Sequence, residues 1–180
     1  MNTNHDISDL VYRVKRDDLL ATKLLYECFA REMLTCSFRI TQNMADAEDV
    51  IQESFMTSFE KINKLNDAER YAGWLKKIVV NNSLKLVKKR QHFLEVEAVE
   101  DYVEDDDDNW YENIPFEKIQ AAIQQLPNGC REIFTLYLME RYKHREIADM
   151  LNISVSTSKS QYRYALSLLK ETLKKNCESL

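Results

Sequence analysis

Apolar residues recur along this 180-residue chain at steps of three and four, the spacing of helices that bury one face. From Asp17, the positions Leu20, Leu24, Leu25, Cys28, Phe29 and Cys36 predict a first long helix with these residues inward. A second begins near Asp46, read as its N-cap, with Ala47, Val50, Ile51, Ser54, Phe55 and Phe59 on the core side. A third runs from about Arg70 to Arg90 and buries Tyr71, Leu75, Ile78, Val79 and Leu86, after a short polar loop, Asn66-Asp67-Ala68-Glu69. Further on, Phe116, Ile119, Ala122, Ile123 and Leu126 predict another helix, which Pro127 stops before Asn128-Gly129 turns the chain.

The C-terminal pattern is the most specific. Arg131 to Glu140 reads as a helix, Arg145 to Leu151 as a second, Asn152-Ile153-Ser154 as a short turn, and Ser156 to Lys174 as a longer helix. A short helix with Ile147, Ala148 and Leu151 inward, a three-residue turn and a longer helix make a helix-turn-helix. With Tyr162, Ala165, Leu166, Leu169 and Leu173 taken as the buried stripe, Lys159, Ser160, Arg163, Tyr164 and, in part, Gln161 are left outward, where a recognition helix meets base edges.

Composition supports helices throughout. Two glycines and two prolines compare with roughly 12% for the two together in an average chain, so the residues that make tight turns are scarce. The longest apolar runs are a few residues, such as Ile78-Val79-Val80, where a membrane span needs about twenty. The start, MNTNHDISDLVYRV, lacks the charge pattern of an export signal, so the expected location is the cytoplasm without membrane insertion. Cys28, Cys36, Cys130 and Cys177 show no CxxC spacing, and His5, His92 and His144 are far apart, so neither a metal site nor a disulfide framework is predicted. No convergent His, Cys and carboxylate set and no glycine-rich phosphate loop is present, so neither an enzyme nor a cofactor is expected.

Charge divides the chain. Residues 1–91 carry 15 Lys and Arg against 13 Asp and Glu, residues 92–115 carry none against 10, and residues 116–180 carry 10 against 7. The central segment, with Asp105-Asp106-Asp107-Asp108, repels itself at this density and is read as an acidic flexible linker. It is either a solvated spacer or an arm that mimics nucleic acid. The expected fold is therefore all-α: two small helical domains, 1–91 and 116–180, joined by the linker 92–115, the C-terminal one a helix-turn-helix.

Two faces carry candidate chemistry. Glu48, Asp49, Gln52 and Glu53 form an acidic and amide patch at i, i+4 spacing, either a solvated face or a surface for a basic partner. Between Lys64 and Arg90 lie eight basic residues and two acids, and the stripe Trp74, Asn81, Lys85, Lys88 suits a nucleic-acid strand through stacking, base-edge bonds and phosphate contacts. Trp74 taken alone reads more simply as core.

These segments together resemble the bacterial sigma factors of the extracytoplasmic-function (ECF) type. DAEDVIQESF (46–55) is similar to the family's helix that docks on the RNA polymerase clamp, and WLKKIVVNNSLKLVKKR (74–90) to its promoter −10 recognition and melting segment. LPNGCREIFTLYLMERYKHREIADMLNISVSTSKSQYRYAL (126–166) is similar to the domain that reads the −35 element. The resemblance implies that Asp49, Gln52 and Glu53 bind core RNA polymerase, and that Asn66, Arg70, Asn81, Lys85, Lys88, Lys89 and Arg90 meet the −10 element, with the Asn66–Arg70 loop holding a flipped base. It implies that Lys159, Ser160, Gln161, Arg163 and Tyr164 face the −35 groove, that the linker threads into the polymerase's RNA channel, and that an anti-sigma factor is a further partner. Two departures stand out. The family usually has an acid at Lys85 and an arginine at Lys88, and its common Arg-Ala pair reads Tyr164-Ala165 here, with Arg163 displaced by about 100° around the helix. The alternative reading is a stand-alone helix-turn-helix regulator, which leaves residues 46–55 and the Trp74 helix without a role.

Overall fold

The computed structural model describes residues 6–91 and 115–178. Each stretch folds as its own compact unit, and every regular element among the described residues is helical. The acidic segment 92–115 lies outside the described residues except for Pro115.

The N-terminal unit holds α1 (Ile7–Val14), α2 (Leu19–Thr41), α3 (Met44–Lys61) and α4 (Tyr71–Gln91), with 3₁₀ turns at Ile62–Lys64 and Ala68–Arg70 before α4. Helices α2, α3 and α4 pack against one another around Leu25, Met33, Ile40, Val50, Phe55, Leu75, Val79 and Val80, all buried. Each fully buried Leu, Val or Phe of this kind contributes about 1.5–3 kcal/mol. Helix α1, which the spacing does not predict because it is short and lies among polar residues, covers α2 through Leu10, Val11 and Val14.

Caps set the boundaries. Asp18 caps α2 by accepting from the backbone N–H of Leu20 and Ala21, and it also receives Arg13 Nε of α1 at 2.9 Å. The Ala21 N–H, then the Arg13 guanidinium, hold its carboxyl below the usual range. The cap of α3 is Asn43, whose Oδ1 accepts from the Asp46 backbone N–H at 3.1 Å. Asp46 is therefore a buried first-turn residue, not the cap expected from its position.

The inward face of α2 also differs from the apolar spacing. Leu20 and Cys28 are exposed, and Ala21, Leu25, Met33, Cys36, Ser37 and Ile40 face the bundle. Serines let the helices approach closely, because their small hydroxyls find partners across the interface. Ser37 Oγ meets Ser83 Oγ at 3.0 Å between α2 and α4, Asn82 Nδ2 donates to Ser54 Oγ at 3.0 Å between α4 and α3, and Ser58 Oγ lies 3.1 Å from the Tyr71 hydroxyl. Burial pushes the Tyr71 phenol up to about 12, so it remains a neutral hydrogen-bonding partner.

The C-terminal unit holds α5 (Phe116–Gln124), α6 (Asn128–Phe134), α7 (His144–Leu151) and α8 (Val155–Glu178). Its core combines Ala122, Ile123 and Leu126 with Cys130 and Phe134, and all of them with Ala165, Leu169 and Leu173 of α8. Asn128 and Gly129 do not form the expected turn: they open α6 behind Pro127, where a proline's fixed φ and missing N–H suit a helix start. Helix α6 continues into a π-helical turn, Thr135–Met139, and Arg141 then takes a left-handed conformation, φ 62°. Asn152, also left-handed at φ 57°, ends α7, and Ser154 Oγ accepts the Thr157 backbone N–H to start α8. Helices α7 and α8 thus form the helix-turn-helix that the spacing predicts.

Candidate nucleic-acid interface

On the N-terminal unit the bundle serves as a rigid frame with two polar faces. Burial of Ala47, Val50, Ile51, Ser54 and Phe55 turns the opposite side of α3 to solvent, and Glu48, Asp49, Gln52 and Glu53 are all exposed there. Helix α4 is held in phase by Leu75, Val79, Val80, Ser83 and Leu84, and its rotation is pinned by the Asn82–Ser54 hydrogen bond. Asn81, Lys85, Lys88 and Lys89 are consequently exposed. The side chain of Arg90 lies outside the described residues. Trp74 is half-buried, its ring 6.1 Å from that of Tyr71, so it is partly core and partly surface.

Asn66 and Arg70 are exposed in the segment ahead of α4. Part of this expected loop is the Ala68–Arg70 3₁₀ turn, started by Asp67, whose Oδ1 accepts the Glu69 N–H. Arg70 Nε lies 3.1 Å from Asp67 Oδ2, so the guanidinium is braced along the turn. The chain before Asn66 is tied down from a distance: Lys15 Nζ donates to the Leu65 carbonyl at 2.7 Å. Sequence spacing does not reveal this tether, because 50 residues separate its ends.

On the C-terminal unit, Lys159 and Arg163 are exposed one turn apart on α8. Ser160 is half-buried and donates to the Thr157 carbonyl at 3.1 Å. Gln161 contradicts its assignment to the outer face. It is 5% exposed, and its Oε1 accepts from Cys130 Sγ at 2.7 Å. Tyr164 is also turned inward, half-buried against the core of this unit. The reason is helical phase: the buried stripe is Ser158, Gln161, Ala165, Leu169 and Leu173, so it passes through Gln161 rather than starting at Tyr162. Two polar residues on the inner face hid that phase.

His144, passed over as an isolated histidine, joins α7 to α8. Its Nδ1 lies 2.9 Å from Ser158 Oγ, and its ring stacks on Tyr137 with centroids 4.2 Å apart and meets Tyr162 edge-on at 5.7 Å. Burial, then the positive charges of Lys159 and Arg163, lower its pKa from the ordinary 6.5. Cys130 is a core thiol, pushed up to about 11 by burial, and therefore unreactive. Among the described residues no cluster of His, Cys, Asp and Glu could hold a metal ion, and no helix is long and apolar enough to cross a membrane.

Two family models match the chain in the order of these units: sigma-70 region 2 over residues 25–93 and sigma-70 region 4 over residues 116–169. The chain belongs to the sigma factors of RNA polymerase, in the ECF group. Among its relatives is the ECF RNA polymerase sigma factor SigW of Bacillus subtilis, 23% identical over 182 residues that span 93% of this chain and 97% of SigW. ECF sigma factor SigE of Mycolicibacterium smegmatis is 27% identical over 146 residues, which span 78% of this chain and 56% of SigE. The fold is similar to that of CnrH in complex with the cytosolic domain of CnrY, with a TM-score of 0.56 at 17% identity over 94% of this chain and 97% of the other. It is likewise similar to the sigma factor RpoE in complex with the anti-sigma factor NepR from Bartonella quintana, with a TM-score of 0.56 at 19% identity over 84% and 96%. As a sigma factor the protein directs transcription initiation, and sigma factors as a group are not enzymes.

Proposed function

We propose that this sigma factor is a cytoplasmic, dissociable specificity subunit that mounts its two units on core RNA polymerase, each reading one promoter element. In this reading Asp49, Gln52 and Glu53 of α3 dock on a basic surface of the polymerase. Asn81 reads the −10 element while Lys85, Lys88, Lys89 and Arg90 hold its phosphates, and the Asn66–Arg70 segment takes up a base flipped from the non-template strand. Capture of an unstacked base opens DNA without ATP, because the contacts offset the few kcal/mol of unstacking. On the C-terminal unit the reading is narrowed to Lys159 and Arg163, with Ser160 beside them, on the −35 major groove. Gln161 is excluded as a base-reading residue by its burial.

The observation that carries this reading is the exposure, on one three-helix frame, of an acidic face on α3 and a basic, amide-bearing face on α4. One face fits a protein surface of positive charge and the other a polyanion, which is what a subunit joining polymerase to DNA requires. The chain itself performs no chemistry; phosphodiester formation belongs to the polymerase. The acidic segment 92–115 lies along the polymerase's RNA path in this reading, and an anti-sigma factor is the natural inhibitor, as in the RpoE–NepR complex to which the fold is similar.

The test is run-off transcription by purified core polymerase on a promoter library, with and without the protein. Start sites that arise only with the protein support the reading and supply the consensus. Sequence-specific footprints by the protein alone, without polymerase association, would replace it with that of a stand-alone regulator.

A further inference from the structure

Next to the segment assigned to base capture stands an aromatic side chain with no role in the core. Tyr12 lies on α1, whose inward residues are Leu10, Val11 and Val14, and it is 58% exposed. Lys15, one turn on, has its ammonium 5.9 Å from the centre of the Tyr12 ring. The same ammonium donates to the Leu65 carbonyl at 2.7 Å, immediately before Asn66, and α1 packs against the Ala68–Arg70 turn. One lysine therefore ties an exposed ring to the segment that presents Asn66 and Arg70. Arg16 and Lys64, both exposed, flank the two ends of this tether. Of the neighbouring acids, Asp18 pairs with Arg13 at 2.9 Å, Asp9 with Arg13 at 3.6 Å and Asp67 with Arg70 at 3.1 Å, while Asp17 and Glu69 are exposed beside Arg16 and Arg70.

We propose that Tyr12, braced by Lys15, is a stacking platform for a second unpaired base of the same DNA strand, next to the base held by the Asn66–Arg70 segment. The proposal rests on that reading of the segment. The chemistry is that of single-strand binding: an exposed aromatic ring offers its face to any base, and cations beside it track the phosphates. A tyrosine ring loses little freedom on binding, and a lysine already bonded to a carbonyl keeps its charge in place without further ordering. A duplex has no unstacked base to offer the ring, so the platform acts only once the strands part and favours the open state over the closed one. The exposed Leu19 and Leu20 at the start of α2 admit a protein contact as the rival, but the cations and the tether to the base-capture segment favour a nucleic-acid strand.

The experiment uses holoenzymes assembled from core polymerase with the wild-type protein, Tyr12→Ala, Tyr12→Phe and Asn66→Ala. Open-complex affinity is measured on a set of promoter templates, each with a single abasic nucleotide at a different non-template position. Tyr12→Ala should weaken open complexes about five- to a hundred-and-fiftyfold, the range of one lost base–aromatic stack, while Tyr12→Phe keeps the ring and wild-type affinity. At one abasic position wild type and Tyr12→Ala should become equal, and that position should differ from the one at which wild type and Asn66→Ala become equal. Equality of wild type and Tyr12→Ala on every intact template would overturn the proposal. So would a loss that no abasic position abolishes, or a matching loss of core polymerase binding without DNA, which marks a protein contact. A matched position for Tyr12 and none for Asn66 upholds the platform and removes the base-capture role of the segment; a match for Asn66 and none for Tyr12 does the reverse.

Discussion

Cys130 Sγ donates to Gln161 Oε1 at 2.7 Å inside the C-terminal unit, joining α6 to the inner face of α8. A residue expected on the outer face of α8 is instead part of what holds α8 against α6. Gln161→Ala should therefore lower the stability of this unit by about 0.5–1.5 kcal/mol, the worth of one ordinary hydrogen bond, since the thiol it leaves is only a weak donor. Thermal melts of the variant check this, and promoter discrimination at the −35 positions should be unchanged at temperatures where the variant is folded.

Lys159 and Arg163 lie on the opposite side of the same helix. Lys159→Ala with Arg163→Ala should leave the melting temperature within experimental scatter and reduce −35-dependent initiation while sparing core polymerase binding. Equal loss of initiation and core binding in run-off and gel-shift assays would show misfolding rather than lost contacts.

On α4, Lys85 and Lys88 are assigned to phosphates. Replacing both with alanine should flatten the plot of log affinity against log salt for holoenzyme on promoter DNA by about 1.4–1.8, two counterions' worth. Gln52→Ala with Glu53→Ala on α3 should instead weaken polymerase binding with the DNA salt slope unaltered, measured by competition for a limited amount of core.

His144 links stability to pH. Its pKa is lowered in the folded state, by burial first and then by Lys159 and Arg163. The unfolded chain, with the ordinary value of 6.5, therefore binds the proton more readily. The contribution of neutral His144 is fully present above 6.5 and is lost as pH falls from 6.5 toward the lower folded-state value. Urea melts should show the C-terminal unit weakening over that window, and His144→Phe, which keeps the stacking on Tyr137, should remove that part of the pH dependence. Because Lys159 and Arg163 oppose protonation, removing them should raise the folded-state value toward 6.5, which narrows the window from its lower edge and reduces the stability lost in acid.

Ser37 and Ser83 test the close approach of α2 and α4. Either serine changed to alanine should cost about 1–3 kcal/mol if its partner is stranded, with Ser83→Ala the larger because Ser83 also donates to the Val79 carbonyl at 2.8 Å. The double variant should cost less than the two single losses together, read from denaturant midpoints in a double-mutant cycle.

The helices most legible in the chain are those with strong apolar periods. The apolar inward positions of α3 and the α7–turn–α8 motif follow from spacing, because a helix of 3.6 residues per turn places such residues on one side whatever it packs against. In α4 spacing finds Tyr71, Leu75 and Val79, but Ile78 and Leu86 are only half-buried, and Val80, Ser83 and Leu84 complete the inward face. The acidic face of α3 and the exposed Asn81, Lys85, Lys88 and Lys89 follow as complements of those buried stripes. The order of the motifs was also enough to suggest the family.

Where polar residues line the interior, spacing misleads. Ser37, Ser83, Ser158 and Gln161 are buried because each finds a hydrogen-bond partner on another helix, 14 to 46 residues away. No local pattern records such a partner, so Gln161 and Tyr164 read as surface and Leu20 and Cys28 as core. The same holds for Lys15 and the Leu65 carbonyl, and for His144 among Tyr137, Ser158 and Tyr162. The amino-acid sequence by itself determined most of the helical segments and which of their faces can be apolar, though not the short α1 or the start of α6. Only the tertiary structure decided which polar groups satisfy one another, since that depends on where distant helices meet, and those meetings settle which side chains are left to face a partner.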